Sequence, residues 1–244
     1  MNFVIGDIHG EYTKLRSLIE NIRLIDRNAQ LIFIGDYLDK GENVYKTLHY
    51  LVELSNEHKC IFIRGNHEYY WELLQKDTDT YADYLLKYGG KNTIQSLGNG
   101  LSIVETKEKL FSEFNSFFED LQNFHILDNF VITHSGIPPE LYDKDLRELK
   151  TEQLVFNRYA FICNQNLYQQ KKLIFGHTGF YSPFYDAYKI GIDTAACYLE
   201  EQPLTAFCTD GNFFINSKSE RFHLSTINQL SCPAIPRVKA WRQQ

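Results

Sequence analysis

A chain of 244 residues with 43% apolar and 23% charged side chains can bury a full core and is too rich in apolar residues for extended disorder. Its net charge of −6 and pI near 5.8 exclude the broad basic face that marks most nucleic-acid binders, and no apolar stretch nears the roughly 18 residues of a membrane span. Five widely spaced cysteines without a CxxC pair, and an N-terminus without a basic-then-apolar leader, are read as free thiols in a cytoplasmic protein.

Residues 2–5 form a short apolar run that enters Gly6-Asp7-Ile8-His9-Gly10. Leu15, Leu18, Ile19 and Ile22 then recur at helical spacing, so the first unit reads as strand, polar loop, helix. The plan repeats twice. Residues 31–34 lead into Gly35-Asp36-Tyr37-Leu38-Asp39-Lys40-Gly41 and a helix over 42–56. Residues 60–63 lead into Arg64-Gly65-Asn66-His67-Glu68 and an aromatic helix start at Tyr69-Tyr70-Trp71. Three such units in succession predict parallel strands with right-handed crossovers, so all three polar loops leave one edge of one sheet.

Residues 77–121 carry helical patterns around Gly89-Gly90 and Gly98-Asn99-Gly100 without a strand signal, which predicts a helical insertion. Phe124–Leu127 and Phe130–Thr133, joined by Asp128-Asn129, predict a hairpin that delivers His134-Ser135-Gly136. Residues 138–170 are polar and helical or irregular, and 173–175 form another strand ending in Gly176-His177-Thr178. Runs at 189–192, 195–199, 204–209 and 213–215 predict a second, mostly antiparallel sheet, while 217–244 stay unassigned. No linker composition divides the chain, which is read as one domain over 1–244.

Taken singly, a Gly-Asp at a strand end is a turn, and a lone histidine there is a satisfied structural group. Convergence is what counts. Asp7, His9, Asp36, Asn66, His67, His134 and His177 all fall at predicted strand ends, each beside or one residue from a glycine. Carboxylates, imidazoles and an amide carbonyl suit Mn²⁺, Fe or Zn²⁺, where an all-oxygen set would suggest Mg²⁺ or Ca²⁺. The ligands exceed what one open catalytic ion needs, and two ions ~3.5–4 Å apart are a standard way to activate water for phosphoryl transfer.

In order and spacing these blocks resemble the signature of calcineurin-like metallophosphoesterases, and most of all the phosphoprotein phosphatase branch, with its small bacterial and phage members and the related diadenosine tetraphosphatases. The resemblance runs from Asp7 to about Ile215. It implies a four-layer α/β sandwich of two facing mixed sheets flanked by helices. It implies Asp7, His9 and Asp36 on one divalent ion, and Asp36, Asn66, His134 and His177 on a second, with Mn²⁺ as the first candidate and Fe or Zn²⁺ as the others. His67 matches the general acid, Asp39 the carboxylate that holds its ring, and Arg64 and Arg158 arginines that grip the phosphate. Arg158 also reads as a surface residue on a helix. Asp193, in Gly191-Ile192-Asp193-Thr194-Ala195, matches a residue behind a ligand histidine, or else a plain turn aspartate. The chain departs from the family at Ala195, where glycine is usual, and at Lys40, where arginine is usual; Lys40 is read as a supporting residue without the planar two-point grip.

The implied activity is hydrolysis of phosphate monoesters by a metal-bridging water, of the serine/threonine protein phosphatase type, because Glu68 follows Gly65-Asn66-His67 and Asp39 is present. The alternatives are hydrolysis of dinucleoside polyphosphates, and a non-catalytic binding module that keeps the fold. The expected partner is a phosphoprotein or a phosphorylated small molecule, with neither nucleic acid nor membrane, and nothing in the sequence sets the oligomeric state.

Overall fold

The computed structural model describes residues 1–74 and 76–224. Three strand–loop–helix units open the chain: β1 (Asn2–Ile5) with α1 (Tyr12–Ile25), β2 (Gln30–Phe33) with α2 (Val44–Glu57), and β3 (Cys60–Phe62) with α3 (Asn66–Leu73). β1 pairs in parallel with β2, and β2 with β3. The loops after all three strands therefore leave one edge of the sheet. The helices α4 (Thr78–Lys87), α5 (Gly90–Leu97), α6 (Ile103–Glu113) and α7 (Asn115–Glu119) follow. Next comes the hairpin of β4 (Phe124–Leu127) and β5 (Phe130–Thr133), which turns on Asp128-Asn129. After two short helices, α8 (Glu152–Val155) and α9 (Tyr159–Cys163), come β6 (Lys172–Phe175), β7 (Phe184–Tyr185), β8 (Lys189–Gly191), β9 (Thr205–Cys208), β10 (Phe213–Asn216) and β11 (Arg221–His223).

The strands form two mixed sheets, one ordered β11-β10-β9-β1-β2-β3 and the other β4-β5-β6-β8-β7. The side-chain period of two along each strand explains how they stack. Phe3, Ile5, Leu31 and Phe33 point to one face of the first sheet, against Leu15 and Leu18 of α1 and Leu48 of α2. Val4 and Ile32, between them in sequence, point to the other face and meet Ile132, Ile174 and Ile190 of the second sheet. Val131, Leu173 and Phe175 line the far face of the second sheet, under Leu154 of α8 and Phe161 of α9. Four layers result, helices outside and sheets within.

β8 joins the second sheet beside β6. β9 and β10, expected there too, instead return to the first sheet, where β9 lies antiparallel to β1. Residues 195–199 form a turn rather than a strand, because Ala195 takes φ 59, a left-handed conformation that no extended strand accommodates. β11 lies within the stretch left unassigned by the sequence, and 225–244 fall outside the described residues. Cys60, Cys197 and Cys208 are free thiols, whereas Cys163 is disulfide-bonded, which departs from the expectation of free thiols throughout. Among the described residues no helix is long and apolar enough to cross a membrane.

Candidate active site

The loop after β2 is bent back sharply. Asp36, Asp39 and Lys40 have φ values of 54, 67 and 61, a region that costs a non-glycine residue about 1 kcal/mol or more. Glu68, in the first turn of α3, holds it in place. One carboxylate oxygen accepts the Tyr37 and Leu38 N–H groups at 2.8 and 3.1 Å, and the other accepts those of Asp36 and Gly65 at 2.9 Å each. Burial, together with the neighbouring Asp36 charge, pushes the Glu68 carboxyl up to about 8; the four donors pull the other way, since only the ionised form can accept all of them. A Cβ on Gly65 would stand 2.2 Å from Asp36 Oδ1, so the third loop can approach the second only with glycine there. Glu68 thus serves the loop backbone, and its identity carries no direct information about substrate.

Asp36 faces two groups of imidazoles with its two oxygens. Oδ2 lies 3.2 Å from His9 Nε2 and 4.0 Å from His67 Nε2, while Oδ1 lies 3.3 Å from His134 Nε2. Asn66 Oδ1 sits 3.0 Å from His134 Nε2 and 2.7 Å from His177 Nδ1. Ligand-type atoms of His9, Asp36 and His67 lie within 4.8 Å of one another, as do those of Asp36, His134 and His177. Backbone carbonyls fix the tautomers. His9 Nδ1 donates to Leu38 O at 2.7 Å and His134 Nδ1 to Ile34 O at 2.9 Å, which leaves a lone pair on each Nε2.

Asp7 is not in either tight group. Its Oδ2 accepts the His177 N–H at 2.8 Å, and its Oδ1 is buried with no hydrogen-bond partner. An orphaned carboxylate oxygen is costly in a dry interior unless a cation or a proton satisfies it. Burial, with the Asp193 and Asp36 charges, pushes the Asp7 carboxyl well above the usual range. Burial lowers His9 and His134 below their usual 6.5, and holds His177 well below it with help from the Arg158 charge. Asp36 behaves oppositely: burial would raise it, yet His134, His67 and His9 hold it well below the carboxylate range. Nε2 lone pairs facing a shared carboxylate at 3.2 and 3.3 Å, together with an unsatisfied buried oxygen, form a donor set that fits divalent ions.

The remaining site residues fall around this centre. His67 Nδ1 meets Asp39 Oδ2 at 2.6 Å. Lys40 Nζ lies 2.6 Å from His9 Nε2 and 4.9 Å from the centre of the Tyr198 ring. Arg158 Nη1 donates to the His177 carbonyl at 3.1 Å, whereas Arg64 donates to Glu72 at 2.9 Å and to Asn123 at 2.7 Å. Asp193 Oδ1 accepts the Ala195 N–H at 2.8 Å, supporting the turn in which alanine replaces glycine. Trp71 packs in the core, as an aromatic at a helix start beside a sheet should, but its indole nitrogen also donates to Asp39. Neither that bond nor the backbone role of Glu68 has a signal in the sequence.

The family model for calcineurin-like phosphoesterases matches residues 3–213. The chain belongs to that family. The asymmetrical bis(5'-nucleosyl)-tetraphosphatase PrpE of Anoxybacillus flavithermus is 24% identical over 60% of this chain and 62% of its own length, so the chain spans less than two thirds of that relative. PrpE of Oceanobacillus iheyensis is 23% identical over 89% of this chain and 92% of its own. A crystal structure of a cold-active protein-tyrosine phosphatase from a Shewanella species covers 91% of this chain and 79% of that one, with 14% identity and a TM-score of 0.57. At that identity the two share a fold.

Proposed function

We propose that this phosphoesterase hydrolyses phosphate monoesters with an alkoxide leaving group, the serine/threonine phosphatase type of reaction. The observation that supports this reading is the 2.6 Å contact between His67 Nδ1 and Asp39, with His67 Nε2 turned toward Asp36. An alkoxide departs poorly without a proton, and an imidazole held from behind by a buried carboxylate can deliver one from Nε2. Asp7, His9, Asp36, Asn66, His134 and His177 would hold two divalent ions, Mn²⁺ foremost. Such ions acidify bound water toward neutral pH and offset phosphoryl charge.

The chain's own part is orientation and proton supply. Asp36 keeps both ligand groups in register, the carbonyls of Leu38 and Ile34 fix the imidazole tautomers, and Asp39 orients the His67 ring. Arg158, anchored on the His177 carbonyl, can present its planar fork to phosphate oxygens. Arg64, whose bonds go to Glu72 and Asn123, has the contacts of a framework residue. Asp193 holds the turn at Ala195, and Lys40 faces the His9 nitrogen that carries the lone pair.

A second reading, hydrolysis of dinucleoside polyphosphates, is favoured by the names of the tetraphosphatase relatives, one of them aligned over 89% of this chain. A phosphate leaving group needs less help from His67. Measuring kcat/KM with Mn²⁺ on a phosphoserine peptide and on diadenosine tetraphosphate separates the two. The first reading expects the peptide to be preferred, and a preference of about a hundredfold for the dinucleotide, ~2.7 kcal/mol, overturns it.

A further inference from the structure

The His67–Asp39 pair is held by groups outside the strand-end loops. Asp39 is fully buried and uses both oxygens. Oδ2 meets His67 Nδ1 at 2.6 Å, while Oδ1 accepts from the Trp71 indole at 3.0 Å and from the Thr93 hydroxyl at 2.6 Å. The same hydroxyl oxygen accepts the Asp39 N–H at 2.9 Å. A hydroxyl has one proton to give, and since its contact with the amide is as acceptor, that proton goes to Oδ1. One buried side chain therefore fixes both the backbone and the carboxylate of Asp39.

Thr93 lies on α5, and the segment around it grips the next loop residue as well. The Lys40 N–H donates to Gly89 O at 3.2 Å, and the Asn92 side-chain amide donates to Lys40 O. Gly89 has φ 106, and a Cβ there would stand 2.6 Å from Lys40 N, so the approach is as close as backbone permits. The torsion that sets a carboxylate plane is soft. Two donors on Oδ1 stop it rotating, so that Oδ2 stays aimed at the imidazole.

We propose that Thr93, with Trp71, is a positioning residue for the proton donor: it acts through Asp39 on His67, which makes α5 part of the acid machinery. This inference rests on the reading of His67 as the group that protonates the leaving oxygen. Thr93→Val keeps the side-chain shape and removes the hydroxyl, and Thr93→Ser keeps the hydroxyl. With Mn²⁺ bound, kcat for phenyl phosphate, whose leaving group needs a proton, is expected to fall about tenfold further in Thr93→Val than kcat for 4-nitrophenyl phosphate. Bound metal should stay at the wild-type content, Thr93→Ser should restore the wild-type ratio, and Trp71→Phe, which removes the other donor, should show the same skew. Equal losses on both esters in Thr93→Val and Trp71→Phe, where His67→Gln is skewed, overturn this inference alone. Equal losses on both esters in His67→Gln overturn the proton-donor reading and this inference with it.

Discussion

The two halves of the site are built from different materials. The half proposed to face the metals takes Asp7, His9, Asp36, His134 and His177 from the ends of strands in both sheets and Asn66 from the start of α3, and carbonyls of Leu38 and Ile34 orient two of its imidazoles. The half proposed to supply the proton takes His67 from α3 and Asp39 from the loop, and braces them with Trp71 and Thr93 from the helical layer. On the proposed reading, ligand geometry depends mainly on the sheets, while protonation depends on helices packed against them. The two should fail separately, except where one residue serves both.

Asp36 is that residue: its carboxylate faces both groups of imidazoles, and its Oδ1 accepts the His67 N–H at 3.2 Å. Asp36→Asn is expected to lower kcat/KM on any phosphoester by at least about a thousandfold, ~4 kcal/mol, and to reduce bound metal below that of the wild type. Metal analysis of the purified variant alongside the kinetics checks this. Full metal content with full loss of turnover would mean that the halves are not joined through Asp36.

Glu68 joins them mechanically, since it reaches from α3 to four N–H groups of the second and third loops. Glu68→Gln is isosteric but leaves buried donors facing an amide NH₂, which is expected to cost about 3 kcal/mol of stability above pH 8, where the carboxylate is ionised, read from urea unfolding. A cost within error of zero would show that the loops hold their bends without it.

Asp39→Asn tests separation directly. It should keep two ions bound and lower kcat on an alkyl phosphate by about a hundredfold, with a smaller loss on 4-nitrophenyl phosphate. Loss of metal in this variant would merge the halves.

The same division explains what was legible in the sequence. Each strand-end residue stands next to or near a glycine because a loop must turn tightly where a buried strand stops, and such turns leave short local marks around Asp7, Asp36, His67, His134 and His177. The alternation of Phe3, Val4 and Ile5 between two faces likewise follows from the two-residue period. The supports of Asp39 leave no such mark. Thr93 lies 54 positions from Asp39 on an amphipathic helix, and nothing local distinguishes a threonine that bonds a carboxylate from one that merely packs. The return of β9 and β10 to the first sheet was hidden for the same reason, because short apolar runs carry no information about which sheet they join.

In the protein stripped of metal, pH should act through two opposed sets of buried groups. His9, His134 and His177 are lowered from the usual 6.5 by burial. Below 6.5 the unfolded chain therefore binds protons that the folded chain does not, so stability falls as the pH drops. Asp7, Asp193 and Glu68, all pushed upward by burial, act in the opposite sense, three groups against three, so the histidine part is read as a difference between variants. Each such histidine contributes up to about 1.4 kcal/mol of loss per pH unit until its folded value is reached. In thermal unfolding with a chelator present, the Tm of the wild type relative to that of His177→Asn should decline from about pH 7 to about pH 5, and a constant difference would mean that this imidazole is not held neutral.

The smallest expected effect tests whether the metal-facing half carries its own stand-in cation. Lys40 Nζ lies 2.6 Å from His9 Nε2, a nitrogen with a free lone pair because Nδ1 already donates to Leu38 O. The ammonium charge also lowers Asp7 and Asp193 against the burial that raises them, so it offsets carboxylate repulsion when no ion is bound. A divalent ion that uses His9 must displace this ammonium and then bind beside a like charge. Lys40→Met keeps the length of the side chain and removes both obstacles. Calorimetric titration with Mn²⁺ is expected to show the weaker of the two ions binding about tenfold more tightly in Lys40→Met, while the metal-free variant loses about 1 kcal/mol of stability for want of the counter-charge. The two shifts have one cause and should appear together; tighter binding without the loss in the metal-free protein would mean that Lys40 repels the ion without replacing it.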